Sequence, residues 1–183
     1  MSTVKNVSTL VFGKGINMVI NILFLPFLAR TLSIAEYGDY GQTILVVDIV
    51  KMLFSGGLAS IILVYLSKNK DNKQVIGSNY YLGVTLGLIA CMLLILSSEI
   101  IGTVFKNSDI PLYIRIYSFS IIFSIPSTTL SSVLIFYKKV PLYTKTIIFI
   151  NSLRLILLFI SIQFLGSLKL VFISLTLLEA INF

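Results

Sequence analysis

Lys14, Asp48, Lys51, Arg115 and Arg154 are ionisable side chains set inside runs of apolar sequence, and Asn17 and Asn21 share a helical face with Lys14. A charge at the middle of a bilayer costs about 2.5–3.5 kcal/mol on insertion scales. An opposite charge about 4 Å away returns roughly 4 kcal/mol at an effective dielectric of about 20. Such residues therefore persist where they meet a partner, a wet cavity or an anionic ligand. Lys14, Asn17, Asn21, Asp48, Lys51 and Arg154 are accordingly the candidate cavity set. Each also has a structural reading. Lys14 sits about two turns into its helix, within snorkelling reach of the interface, and Arg115 can do the same at the opposite interface. Asp48 and Lys51, three residues apart on one face, can neutralise one another. Asn17 and Asn21 can hydrogen-bond between helices. Arg154 has the longest apolar sequence on both sides, so snorkelling is hardest there.

Reaction chemistry is otherwise missing from the sequence. There is no histidine and a single cysteine, Cys91, inside an apolar run. That excludes an intrachain disulfide, a Cys/His metal site and a Ser-His-Asp triad. No HExxH and no glycine-rich phosphate loop ending in Lys-Ser/Thr occurs. Of seven acidic residues, all but Asp48 fall in loops, at the ends of apolar runs or in the last run. Glu36 and Asp39, flanking Tyr37-Gly38, read as a capped turn. The expectation is a protein that is not an enzyme and needs no cofactor and no metal.

The elements that must position these charges are membrane helices. The chain is 57% hydrophobic and 11% charged, with a mean hydropathy of +1.01. A soluble domain carries about 25% charged residues to coat its surface; less than half of that leaves lipid as the exterior. Six apolar segments, at about 8–29, 40–66, 80–101, 113–137, 146–165 and 168–183, predict an all-α polytopic membrane protein forming one helical lobe. Each segment is a continuous run rather than about ten residues of alternating polarity, which excludes barrel strands. The final run is shorter than the ~20 residues needed to cross and carries Glu179, so the sixth helix reads as incomplete. The first run is too long and too polar for a cleaved signal peptide. All nine tyrosines lie within about a turn of a proposed segment end, at the headgroup level where an amphipathic ring is stable. Gly83 and Gly87 give a GxxxG spacing suited to close helix packing.

Lys5, Lys68, Lys70, Lys73, Lys138, Lys139 and Lys145 fall on one side of the membrane, against Arg30, Lys106 and Lys169 on the other. The positive-inside rule therefore places the N-terminus in the cytoplasm. The net charge of +7 is explained by topology and anionic lipid headgroups, with no nucleic acid expected as a partner.

The stretch Pro26-Phe-Leu-Ala-Arg30-Thr-Leu-Ser33-Ile-Ala-Glu36-Tyr37-Gly38-Asp-Tyr40 resembles the oligosaccharide flippase family, the O-antigen and polysaccharide exporters of the MATE-like MOP superfamily. Gly57-Leu58-Ala59-Ser60 and Tyr65-Leu66-Ser67 resemble the end of that family's second helix and its exit to the cytoplasm. Physically, Arg30 places a cation at a helix C-terminus, and Ser33 with Glu36 reads as a capping box opening the next helix. Two positions depart from the family: Ser55-Gly56 stand where an acidic residue often precedes the Gly-Leu, and Val64 stands where an arginine is common. The resemblance implies the N-terminal lobe of a two-lobed transporter in the bacterial inner membrane. It further implies an undecaprenyl-pyrophosphate-linked oligosaccharide as the substrate, destined for O-antigen, lipopolysaccharide or other polysaccharide biosynthesis. A missing C-terminal lobe or a second copy would complete the transporter. Within this reading Lys51 and Arg154, with Lys14, meet the pyrophosphate, and Asp48 tunes them or couples to ions. The competing readings are a cation-coupled drug exporter of the same superfamily, and a non-transporting membrane scaffold or inactive gene remnant.

Overall fold

Apolar side chains with no water to escape from gain nothing by facing inward, so a chain this rich in them can put leucines outside and hydroxyls inside. The computed structural model, which describes residues 3–68, 73–163 and 167–181, has that arrangement. Leu96, Val104, Met52 and Phe12 are each more than 70% exposed, whereas Thr43, Ser98, Ser118, Ser120 and Thr129 are buried. The described residues fold into helices α1 (Thr3–Thr31), α2 (Ile34–Ser55), α3 (Leu58–Lys68), α4 (Lys73–Phe105), α5 (Ile110–Phe136), α6 (Val140–Gln163) and α7 (Leu168–Ile181). Among them four passages are long and apolar enough to cross a membrane: Ile34–Lys68, Lys73–Phe105, Ile110–Phe136 and Val140–Gln163.

The turn between α1 and α2 follows its sequence. Ser33 Oγ accepts from the Glu36 backbone N–H at 3.3 Å, and the Ser33 N–H donates to Glu36 Oε2 at 3.0 Å. This capping box satisfies donors that a helix start leaves open. The apolar segment 40–66, read as one element from its composition, is broken at Gly56-Gly57. Gly57 has φ +88, a left-handed conformation that a Cβ disfavours, and α3 restarts beyond it. The break is held by a buried polar link. Asn79 Nδ2 of α4 donates to the Leu58 carbonyl at 3.4 Å, and Thr129 Oγ1 of α5 donates to Asn79 Oδ1 at 2.6 Å.

α5 is the central helix, packed on α4, α7, α2, α3 and α6. Its tightest neighbour is α4, because glycine lets the two backbones meet. A Cβ added at Gly83 would lie 3.0 Å from Pro126 Cα, and one at Gly87 would lie 3.0 Å from Ile122 Cα. The GxxxG spacing is thus used within the chain. At the α2, α5 and α7 N-terminal ends, fully buried Phe172 packs against Tyr40, Tyr113 and Tyr117, with ring centroids 5.3–5.9 Å apart. The same end carries a 2.6 Å hydrogen bond from Asn107 Nδ2 to Asp39 Oδ1, so of the two acids read as a capped turn Glu36 makes the cap and Asp39 is a buried acceptor within α2. α1 lies mainly against α6.

Gly87→Val should lower thermal stability in detergent by about 1–3 kcal/mol, since the obstacle is backbone and cannot rotate away. Gly77→Ala, which meets open space, should change it little; equal melting midpoints for the two variants would contradict the packing described.

Candidate functional site

Ser124, Ser127, Thr128 and Ser131 recur at three- and four-residue intervals, which puts them on one stripe of α5. That stripe forms the wall of a cavity of about 600 Å³, completed by Lys51 of α2, by Tyr143, Thr146, Asn151 and Arg154 of α6, and by Glu179 of α7. These positions belong to the later parts of α2, α5 and α7 and the earlier part of α6. The cavity therefore lies toward the α5–α6 turn, away from the aromatic cluster around Phe172.

Three hydroxyls on this wall, those of Ser127, Thr128 and Ser132, are already engaged as donors. Ser127 donates to the Phe123 carbonyl at 2.8 Å, Thr128 to that of Ile125 at 2.7 Å, and Ser132 to that of Thr128 at 2.9 Å. A hydroxyl oxygen keeps acceptor capacity after its proton is used, so this wall is suited to a ligand rich in O–H donors.

Arg154 is not a lone cation. Its Nη2 donates to Glu179 Oε1 at 2.8 Å, with the two side chains 32% and 10% exposed. Its Nε is buried and makes no hydrogen bond among the described residues. Lys51 forms no ion pair among the described residues. Asp48, one turn earlier on α2, is exposed and does not line the cavity, although Lys51, Arg154 and Glu179 are all near enough to act on it electrostatically. The structure thus brings Lys51 and Arg154 to one cavity and leaves Asp48 at its margin. The side chains of Lys14, Asn17 and Asn21 on α1 lie outside the described residues. Arg115 is elsewhere, joined to Glu99 at 2.5 Å and to Ser98 Oγ at 2.9 Å across the α4–α5 contact.

Sequence reasoning missed two parts of this site. Glu179 was the remaining acid inside an apolar run, and its natural complement was the mid-span arginine. The hydroxyl stripe was visible as a cluster of serines and threonines between Ser118 and Ser132, at helical spacing. No group of acidic or cysteine side chains among the described residues could hold a metal ion.

Lipid-facing leucines around a charged, hydroxyl-lined interior define a multi-pass helical membrane protein. The chain belongs to the family described as polysaccharide biosynthesis protein, whose sequence profile matches residues 3–182. No curated protein and no solved structure gives a significant match.

A wet cavity can be told from a lipid-facing surface by thiol chemistry, because the reactive thiolate needs water. In a Cys91→Ala background, Ser131→Cys should react with a charged methanethiosulfonate at least ~10-fold faster than Leu96→Cys. Equal rates would mean that the hydroxyl stripe is not in water.

Proposed function

We propose that the chain is the N-terminal lobe of a transporter that flips a lipid-linked oligosaccharide for polysaccharide or O-antigen assembly. The carrier is an undecaprenyl-pyrophosphate-linked repeat unit, and the membrane is the bacterial inner membrane. The observation that carries this reading is the cavity: acceptor-rich hydroxyls along one wall, two cations at its edge and an apolar exterior around it. Sugar hydroxyls supply the donors that the α5 stripe accepts, Lys51 and Arg154 answer the diphosphate, and the polyprenyl tail stays in lipid. A diphosphate is the better match than a cationic drug, since Lys51 and Arg154 face one acid, Glu179, on the described wall. With the N-terminus in the cytoplasm, the cavity lies toward the cytoplasmic α5–α6 turn, on the side where a newly made lipid-linked sugar would enter. Alternating access requires a second lobe across the site, from further chain or a second copy. The protein itself performs no bond chemistry in this scheme.

Joined to a complementary second lobe in a flippase-deficient strain, the chain should restore surface polysaccharide. Lys51→Ala should reduce export about tenfold at matched protein level, the worth of one charge-assisted hydrogen bond. Lys51→Arg should retain most activity, and Asp48→Asn, outside the cavity, should retain more than Lys51→Ala. Parental export by a normally expressed Lys51→Ala variant would refute the cationic role.

A further inference from the structure

The Arg154–Glu179 pair uses only half of the guanidinium edge it occupies. Nε and Nη2 point the same way and form the fork that binds two oxygens of one carboxylate or phosphate. Glu179 takes Nη2 at 2.8 Å, while Nε beside it is buried and unbonded among the described residues. A phosphate group placed at this edge would satisfy both N–H groups, and Arg154 and Glu179 both line the cavity.

We propose that Glu179 is a built-in competitor that occupies the Arg154 fork until a phosphate of the ligand displaces it, and that it thereby sets the cavity's affinity for diphosphate-bearing lipids. This rests on the flippase reading above. The exchange forms and breaks no covalent bond: one charge-assisted hydrogen bond to a carboxylate is replaced by two to a phosphate. It is opposed by the carboxylate that is left behind, which is 10% exposed and loses its partner. Glu179 therefore weakens binding without abolishing it. A transporter needs that balance, since a site must hold its cargo firmly enough to load it and loosely enough to let it go. Lys51, without an ion pair among the described residues, is the cation that meets the ligand with no carboxylate bonded to it. The two cations thus have different tasks. Lys51 supplies attraction, and Arg154 supplies a contact whose strength Glu179 moderates.

The purified chain, in nanodiscs of neutral lipid, is titrated with inorganic pyrophosphate and with farnesyl diphosphate. Glu179→Gln keeps the shape and a hydrogen-bond acceptor but removes the competing charge, and should tighten both ligands roughly tenfold. Glu179→Asp, one methylene shorter, should tighten them by a smaller factor and serves as the test if the glutamine variant does not fold. On an Arg154→Lys background, which keeps a cation but lacks the fork, Glu179→Gln should gain little; a merely structural Glu179 would not show that dependence. Unchanged affinity in both Glu179 variants, with Lys51→Ala still weakening binding, overturns the competitor role and leaves the flippase reading standing. Failure of every form to bind either ligand overturns both. Tightening for pyrophosphate alone, with no binding of farnesyl diphosphate, overturns the assignment to a lipid-borne diphosphate.

Discussion

A guanidinium within an apolar helix has few stable surroundings, and the architecture around Arg154 supplies one of them. Hydrocarbon offers it nothing, so the side chain must reach a counter-charge, water or both. Glu179 on α7 provides the counter-charge at 2.8 Å, and the hydroxyl stripe of α5 provides a polar wall. This requirement ties α6 to α7 and sets both beside α5, the helix against which most of the bundle packs. Replacing the pair with leucines would suit the lipid better. Their presence marks the cavity as the place where the protein trades bilayer stability for a polar interior, and buried ion pairs are seldom kept for stability alone.

The two ends of the bundle are built differently. Toward the α2, α5 and α7 N-termini, Phe172 is enclosed by three tyrosine rings, and the Asn107–Asp39 hydrogen bond links α2 to the α4–α5 turn. Toward the other end the same helices, with α6, line the 600 Å³ cavity. Close contact at Gly83 and Gly87 holds α4 against α5, and the Thr129–Asn79–Leu58 link fixes the start of α3 after the glycine break. One end is thus filled by aromatic packing and the other lined by polar groups.

Much of this was legible in the chain because it depends on local rules. Charge content and run length force membrane helices, and Ser33 with Glu36 specifies a helix start whatever lies around it. Lys51 and Arg154 stand out as charges in apolar sequence. What was not legible depends on tertiary partners. Asp48 and Lys51 share a face of α2, yet Lys51 lines the cavity while Asp48 is exposed at its margin, a difference set by which neighbouring helices stand over each position. The partner of Glu179 depends on how α7 packs against α6, which the local sequence does not specify. The segment 40–66 is apolar throughout, so hydropathy alone does not register a break made by Gly57 backbone geometry and a buried asparagine.

On the proposed function the cavity, and not the lipid-facing surface, receives the saccharide head of a lipid carrier. A photoreactive benzoylphenylalanine at position 131, on the α5 stripe, or at position 96, on the exterior of α4, tests it directly in membranes carrying a radiolabelled lipid-linked oligosaccharide. Sugar label is expected to attach to the protein at position 131 and not at position 96, and Lys51→Ala is expected to diminish the signal. Equal labelling at both positions, or label at position 96 alone, would contradict it.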